Sequence, residues 1–237
     1  HLKYVCFLDS VFTSIKKEQI KNLIVDVHYN GGGTDPNDLV TYSYLTNRVF
    51  SENNQAWISF SKIPYIRYIE TIIPVFLRPL GVGKYNKEFQ KEFQKIEYEK
   101  FYQDSTSSDH KIRTPNKNAF NGNIYLLISP RVASAGSLFA AMLTGNKNTI
   151  VIGEETMGAY YGHNGHTDLG YILPKSKIGT RFYVVNLEQD VPQKENQISN
   201  RGIIPDFTIS QSYEDYLNQK DIQIDFLLNL IKKNDQE

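Results

Sequence analysis

Apolar and polar positions alternate along the chain in two distinct rhythms. Leu23-Ile24-Val25-Asp26-Val27 is a short β-branched run ending at Gly31-Gly32-Gly33, which predicts a buried strand that delivers a glycine loop. Asp35-Pro36 follows with helix-start chemistry, and a helix is expected from Leu39 to Leu45. Ile124 to Ser129 reads as a second buried strand and Thr149 to Ile152 as a third, with helical apolar spacing from Leu138 to Leu143 between them. Strand, helix and strand in that order predict a βαβ unit in an α/β fold with a mostly parallel sheet and flanking helices.

Other segments follow different patterns. Phe89, Phe93 and Ile96 fall at i, i+4 and i+7 in a charged stretch, as on one face of an amphipathic helix. The polar run "DSTSSDHKIRTPNKN" after it predicts a mobile surface loop. Residues 85–118 are therefore expected to be an accessory helix and loop inserted beside one core spanning 1–237. Tyr171 to Val185 is strand-like, and Ile222 to Ile231 closes the chain as a helix.

Composition narrows the function classes. Lys+Arg and Asp+Glu both number 26, so the net charge is zero, which argues against a broad nucleic-acid surface. Cys6 is the only cysteine, so there is no intrachain disulfide and no cysteine zinc site. No apolar run has the ~18–20 residues of a membrane span, and no signal peptide is read at the start. The first residue is His, so a trimmed or processed chain is expected.

Two segments carry candidate chemistry. In "DVHYNGGGT" consecutive glycines permit positive φ and let backbone N–H groups approach an anion. The same glycines also suit a plain strand-to-helix turn, and neither a phosphate loop nor a dinucleotide fingerprint is present. In "RVASAGSLFAAML" Ser134 falls between strand and helix, and Ser137 lies one turn inside. Ser134 is either a helix N-cap or a nucleophile whose oxyanion would meet the N–H of Ala135 at the helix start.

The order of these motifs resembles the tail-specific, or C-terminal processing, serine peptidases, including the core of tricorn protease. "NLIVDVHYNGGG", "NGNIYLLISPRVASAGSLFAAML", "TIVIGEETMG" and "RGIIPDFTI" match four signatures in sequence, over roughly residues 20–232. The resemblance implies a ClpP/crotonase-type core, a Ser134 nucleophile, and an oxyanion hole from the N–H groups of Gly32 and Ala135. It implies no metal or organic cofactor and an extended or unstructured polypeptide as substrate. It also implies export to a bacterial cell envelope or periplasm. The helical and peptide-binding regions that often precede the family's core are not expected within residues 1–237.

The family's general base has no match. The position of the dyad lysine is Ala159, and that of the tricorn-like glutamate is Ser199. His163 and His166, in "GAYYGHNGH", lie near the lysine's place in the sequence, and a neutral His163 within reach of Ser134 can act as base. The alternative is a loop-packing histidine. Two histidines without carboxylate or cysteine partners do not suggest a metal site. Glu154 and Glu155 are read as structural, His28 as a strand-end residue and His110 as solvated. Two rivals to a peptidase remain: a peptide-binding pseudo-peptidase that has lost its base, and a crotonase-like acyl-CoA enzyme.

Overall fold

The computed structural model describes residues 2–33 and 37–234, and only the backbone of His166. Asp35 and Pro36, the expected helix start, lie outside the described residues. In chain order the helices are α1 (Leu2–Lys17), α2 (Asn37–Ser43), α3 (Arg78–Glu92), α4 (Ala135–Thr144), α5 (Tyr213–Leu217) and α6 (Ile222–Asn234). The strands are β1 (Asn22–Asp26), β2 (Asn53–Ile58), β3 (Phe93–Glu97), β4 (Lys100–Gln103), β5 (Asn123–Ile128), β6 (Thr149–Gly153), β7 (Gly162–Ile172), β8 (Gly179–Gln189) and β9 (Phe207–Thr208). They form two compact units, the first of residues 1–50, 112–161 and 190–237, the second of 51–111 and 162–189.

The first unit is built on a parallel sheet in the order β1-β5-β6-β9. Leu23 pairs with Ile124, Leu126 with Val151, and Ile152 with Phe207. Alternate residues of β5 enter different cores. Ile124, Leu126 and Ile128 pack in the cluster that holds Leu138 and Ala140 of α4 with Leu8 and Phe12 of α1. Tyr125 and Leu127 pack with Leu227 of α6. A strand buried on both faces has no reason to alternate, which is why β5 reads as a continuous apolar run.

The second unit is an antiparallel sheet in the order β3-β4-β2-β8-β7. Its core gathers Ala56 and Ile58 of β2, Val82 and Phe89 of α3, and Val185 and Leu187 of β8. Here the structure corrects the expected helix face. The helix ends at Glu92, and Phe93 and Ile96 belong to β3, with Ile96 68% exposed. The cause is the turn at Tyr98 and Glu99, both at positive φ (47° and 61°), which folds β3 back on β4 as a hairpin. The polar stretch after it is divided between the units. In the first of them Phe50 and Arg113 exchange backbone hydrogen bonds of 3.0 and 2.7 Å.

Candidate active site

Strand β5 ends at Ile128, and the chain turns through Ser129 to Ser134 before α4 begins. Ser129 fastens this turn to the segment that follows β1: its hydroxyl donates to the carbonyl of His28 (2.6 Å) and accepts from the N–H of Arg131 (3.1 Å). Ser134 then adopts φ 51°, ψ −132°, a region that a residue with a Cβ rarely occupies. Its side chain is exposed and makes no capping hydrogen bond to α4. The plain helix-cap role is thus absent, and an outward hydroxyl is held at the positive end of a helix by a strained backbone.

Ser137 is the opposite case. It is fully buried, donates 2.7 Å to the carbonyl of Ser134, and sits so close to Gly158 that a Cβ there would lie 2.0 Å from its Oγ. It is a packing residue of the helix, as its place one turn inside implied.

The glycine loop lies directly against this turn. Gly32 has φ +104°, and a Cβ on it would stand 2.6 Å from Ser134 Cβ, 2.9 Å from the carbonyl oxygen of Ala133 and 3.1 Å from the nitrogen of Ala135. Only glycine satisfies both the dihedral and the contact. Asn30 ties the two loops together: its carbonyl accepts from the N–H of Ala133 (3.3 Å), and its Oδ1 accepts from the N–H of Gly32 (3.0 Å). The Gly32 N–H, expected to point at an oxyanion, is therefore engaged by the short Asn30 side chain in a local turn. The N–H of Ala135 makes no hydrogen bond among the described residues. A cleft of about 340 Å³ opens here, lined by Asn30, Gly32, Gly33, Ala135, Gly136 and Phe139 among others.

Beside this turn, the two remaining motifs lock each other. Glu155 accepts from Nε of Arg201 (2.8 Å), from its Nη2, and from the N–H of Gly202 (3.0 Å). Thr156 donates to the carbonyl of Gly158 and accepts from the N–H of Ile203. Asp206 then reaches back, its Oδ2 accepting from the N–H of Val151 (2.8 Å). Glu155 is structural, as expected, and its hydrogen bonds to Arg201 hold its pKa below the usual range. A lowered folded-state pKa gives stability that is present above the ordinary glutamate pKa and lost as pH falls through the lowered one. Glu155→Ala should lower Tm by a few degrees at neutral pH, and the deficit should shrink in acid. Thermal melts across that range read it directly.

The structure brings Ser134, Ala135 and Gly32 together in the first unit and places His163 on β7 in the second. His163 Nδ1 lies 2.9 Å from Nε2 of the buried Gln189. As placed, the Gln189 amide N–H donates to Nδ1, so a neutral His163 ring carries its proton on Nε2. Ala159 bridges to Gly202 in an isolated antiparallel pair, and Ser199 is exposed. His28 Nδ1 lies 3.0 Å from Asp26 Oδ1, consistent with a strand-end role. His110, expected to be solvated, instead faces the backbone carbonyl of Asn53 at 3.1 Å. No cluster of three or more His, Cys, Asp or Glu suited to a metal occurs among the described residues.

Comparison with known proteins gives this geometry a context. The family model for peptidase family S41 matches residues 66–209, more than half of the chain. A solved structure from Parabacteroides merdae, described as a peptidase, aligns with TM-score 0.58 at 17% identity, covering 94% of this chain and 55% of that one. A mutant form of CPAF aligns with TM-score 0.50 at 15% identity, covering 87% and 42%. The photosystem II D1 C-terminal processing protease aligns at 0.45 and 16%, covering 89% and 40%. The chain thus spans about half the length, or less, of the solved structures it matches, and such identities speak for the fold alone. No curated protein matches the sequence.

Proposed function

Because this chain belongs to peptidase family S41, we propose that it is a serine peptidase that cleaves extended polypeptides through an acyl-enzyme on Ser134. The observation that carries the reading is the strained, uncapped Ser134 in contact with Gly32 at the start of α4. Ser134 Oγ attacks the scissile carbonyl carbon and loses its proton to a general base. The carbonyl oxygen becomes an oxyanion, met by the N–H of Ala135 and by that of Gly32 once Asn30 Oδ1 releases it. The tetrahedral intermediate collapses as the leaving amine takes the proton, and water then hydrolyses the ester. We propose that this work is done in the bacterial cell envelope, as the family resemblance implies.

His163 is the proposed base. His163→Ala should lower kcat on an unstructured protein such as casein by roughly 10²–10⁴-fold with KM little changed. An unchanged kcat would remove His163 from the mechanism. The second reading, a peptide-binding pseudo-peptidase, is favoured by Ala159 at the place of the dyad lysine. It requires peptide binding without turnover and without reaction of Ser134 with a fluorophosphonate.

A further inference from the structure

The second unit exposes an apolar ridge whose surroundings are basic. Between Ile72 and Leu80 the side chains of Ile72, Val75, Phe76 and Leu80 are exposed, Phe76 at 79% and Leu80 at 77%. The ridge is held in shape from behind. The N–H of Ile73 donates to Thr71 Oγ1 (3.2 Å), Ile73 Cδ1 lies 2.6 Å from where a Gly81 Cβ would stand, and Arg78 Nε donates to the Ile73 carbonyl (3.0 Å). Ile73 and Arg78 thus fix the loop while their neighbours point outward.

Helix α3 continues this surface. Its buried residues, Val82 and Phe89, are seven apart and face the core. Leu80, Lys84, Lys87 and Lys91, at i, i+4, i+7 and i+11, form the opposite, exposed stripe. Residues 62–91 carry six cations (Lys62, Arg67, Arg78, Lys84, Lys87, Lys91) and two acids (Glu70, Glu88), although the whole chain is neutral. The excess is local and lies where the apolar side chains are exposed.

We propose that this face docks on an anionic lipid bilayer surface, with Ile72, Phe76 and Leu80 entering the headgroup–acyl boundary and Lys84 and Lys87 meeting the headgroups. Apolar side chains framed by lysines are what an interfacial helix presents to such a surface. Charge complementarity selects this occupant: a purely apolar protein partner gives no reason for the lysine stripe, and a solvated helix gives none for Phe76 and Leu80. No helix among the described residues is long and apolar enough to cross a membrane.

Co-sedimentation of the whole chain with phosphatidylglycerol-containing vesicles, against phosphatidylcholine vesicles, tests this. Binding is expected only to the anionic vesicles and should weaken as salt is raised. Lys84→Glu and Lys87→Glu should each weaken it at least about fivefold, and Phe76→Ser with Leu80→Ser by roughly tenfold or more. These side chains are exposed, so circular dichroism should show the variants folded. Absence of binding to anionic vesicles, or binding indifferent to both sets of substitutions, overturns the proposal. So does a concentration-dependent dimer in light scattering that Phe76→Ser disperses, since the ridge would then belong to a second copy.

Discussion

Replacing Ser134 by glycine is expected to abolish peptide hydrolysis while making the fold more stable. The backbone at φ 51°, ψ −132° is strained for any residue with a Cβ, and glycine adopts it without that strain. Relief of strain should raise the unfolding free energy by about 1 kcal/mol, while loss of the nucleophile should cost roughly 10⁴-fold or more in kcat. A helix-capping serine behaves otherwise. Removal of a cap by Ser→Ala costs ~0.5–2 kcal/mol, whereas Ser134 makes no capping bond to lose. Denaturant unfolding of Ser134→Gly and Ser134→Ala, paired with hydrolysis assays, separates the two roles. A destabilised, still active Ser134→Ala protein would contradict the account.

The second large effect is expected at Gly32. Alanine there must accept φ +104° and place a Cβ within 2.6 Å of Ser134 Cβ and 2.9 Å of the Ala133 carbonyl oxygen. Neither neighbour is the end of a flexible side chain, so the loop or the turn has to move. Gly32→Ala should lower stability by about 1–3 kcal/mol and kcat by roughly 10²-fold or more, the scale of losing one oxyanion donor. Gly33→Ala is the matched control. A Cβ on Gly33 meets nothing within 4 Å, so stability should stay nearly unchanged. Equal stability losses at the two positions would mean that the contact with Ser134 carries no weight.

The centre of the parallel sheet was legible because β5 and β6 are buried on both faces; β1, expected to be a buried strand, lies at the sheet edge and is only partly buried, with Ile24 37% exposed. A run such as Ile124–Ile128 has few other uses, and the glycines after β1 mark where the chain must turn tightly. The distinction between Ser134 and Ser137 was only half legible. Small residues surround both, and the deciding fact is a backbone dihedral that residue types do not display. The four ordered motifs pointed to Ser134 through family likeness, and the backbone adds a physical reason.

Elsewhere the sequence pattern misled or was silent. Phe89, Phe93 and Ile96 fit a helix face, but Tyr98 and Glu99 take positive φ without the glycine or asparagine that usually advertises such a turn. The second sheet was only partly legible: the strand-like Tyr171 to Val185 falls on β7 and β8, but β2 pairs with β8 across more than a hundred residues of sequence. Asn30 was also missed. Its hold on the Gly32 N–H follows from a side-chain orientation, and the only signal was an asparagine immediately before three glycines. The clamp of Glu155 on Arg201 joins two motifs that the sequence presents separately.

The central claim, that Ser134 is the nucleophile, is tested most directly by treating the chain with a fluorophosphonate and locating the adduct by peptide mass mapping. The account predicts one adduct, on Ser134, with Ser137 unmodified because it is buried and hydrogen-bonded inside α4. An adduct on Ser137 or another serine, or no adduct in a correctly folded chain, would contradict it.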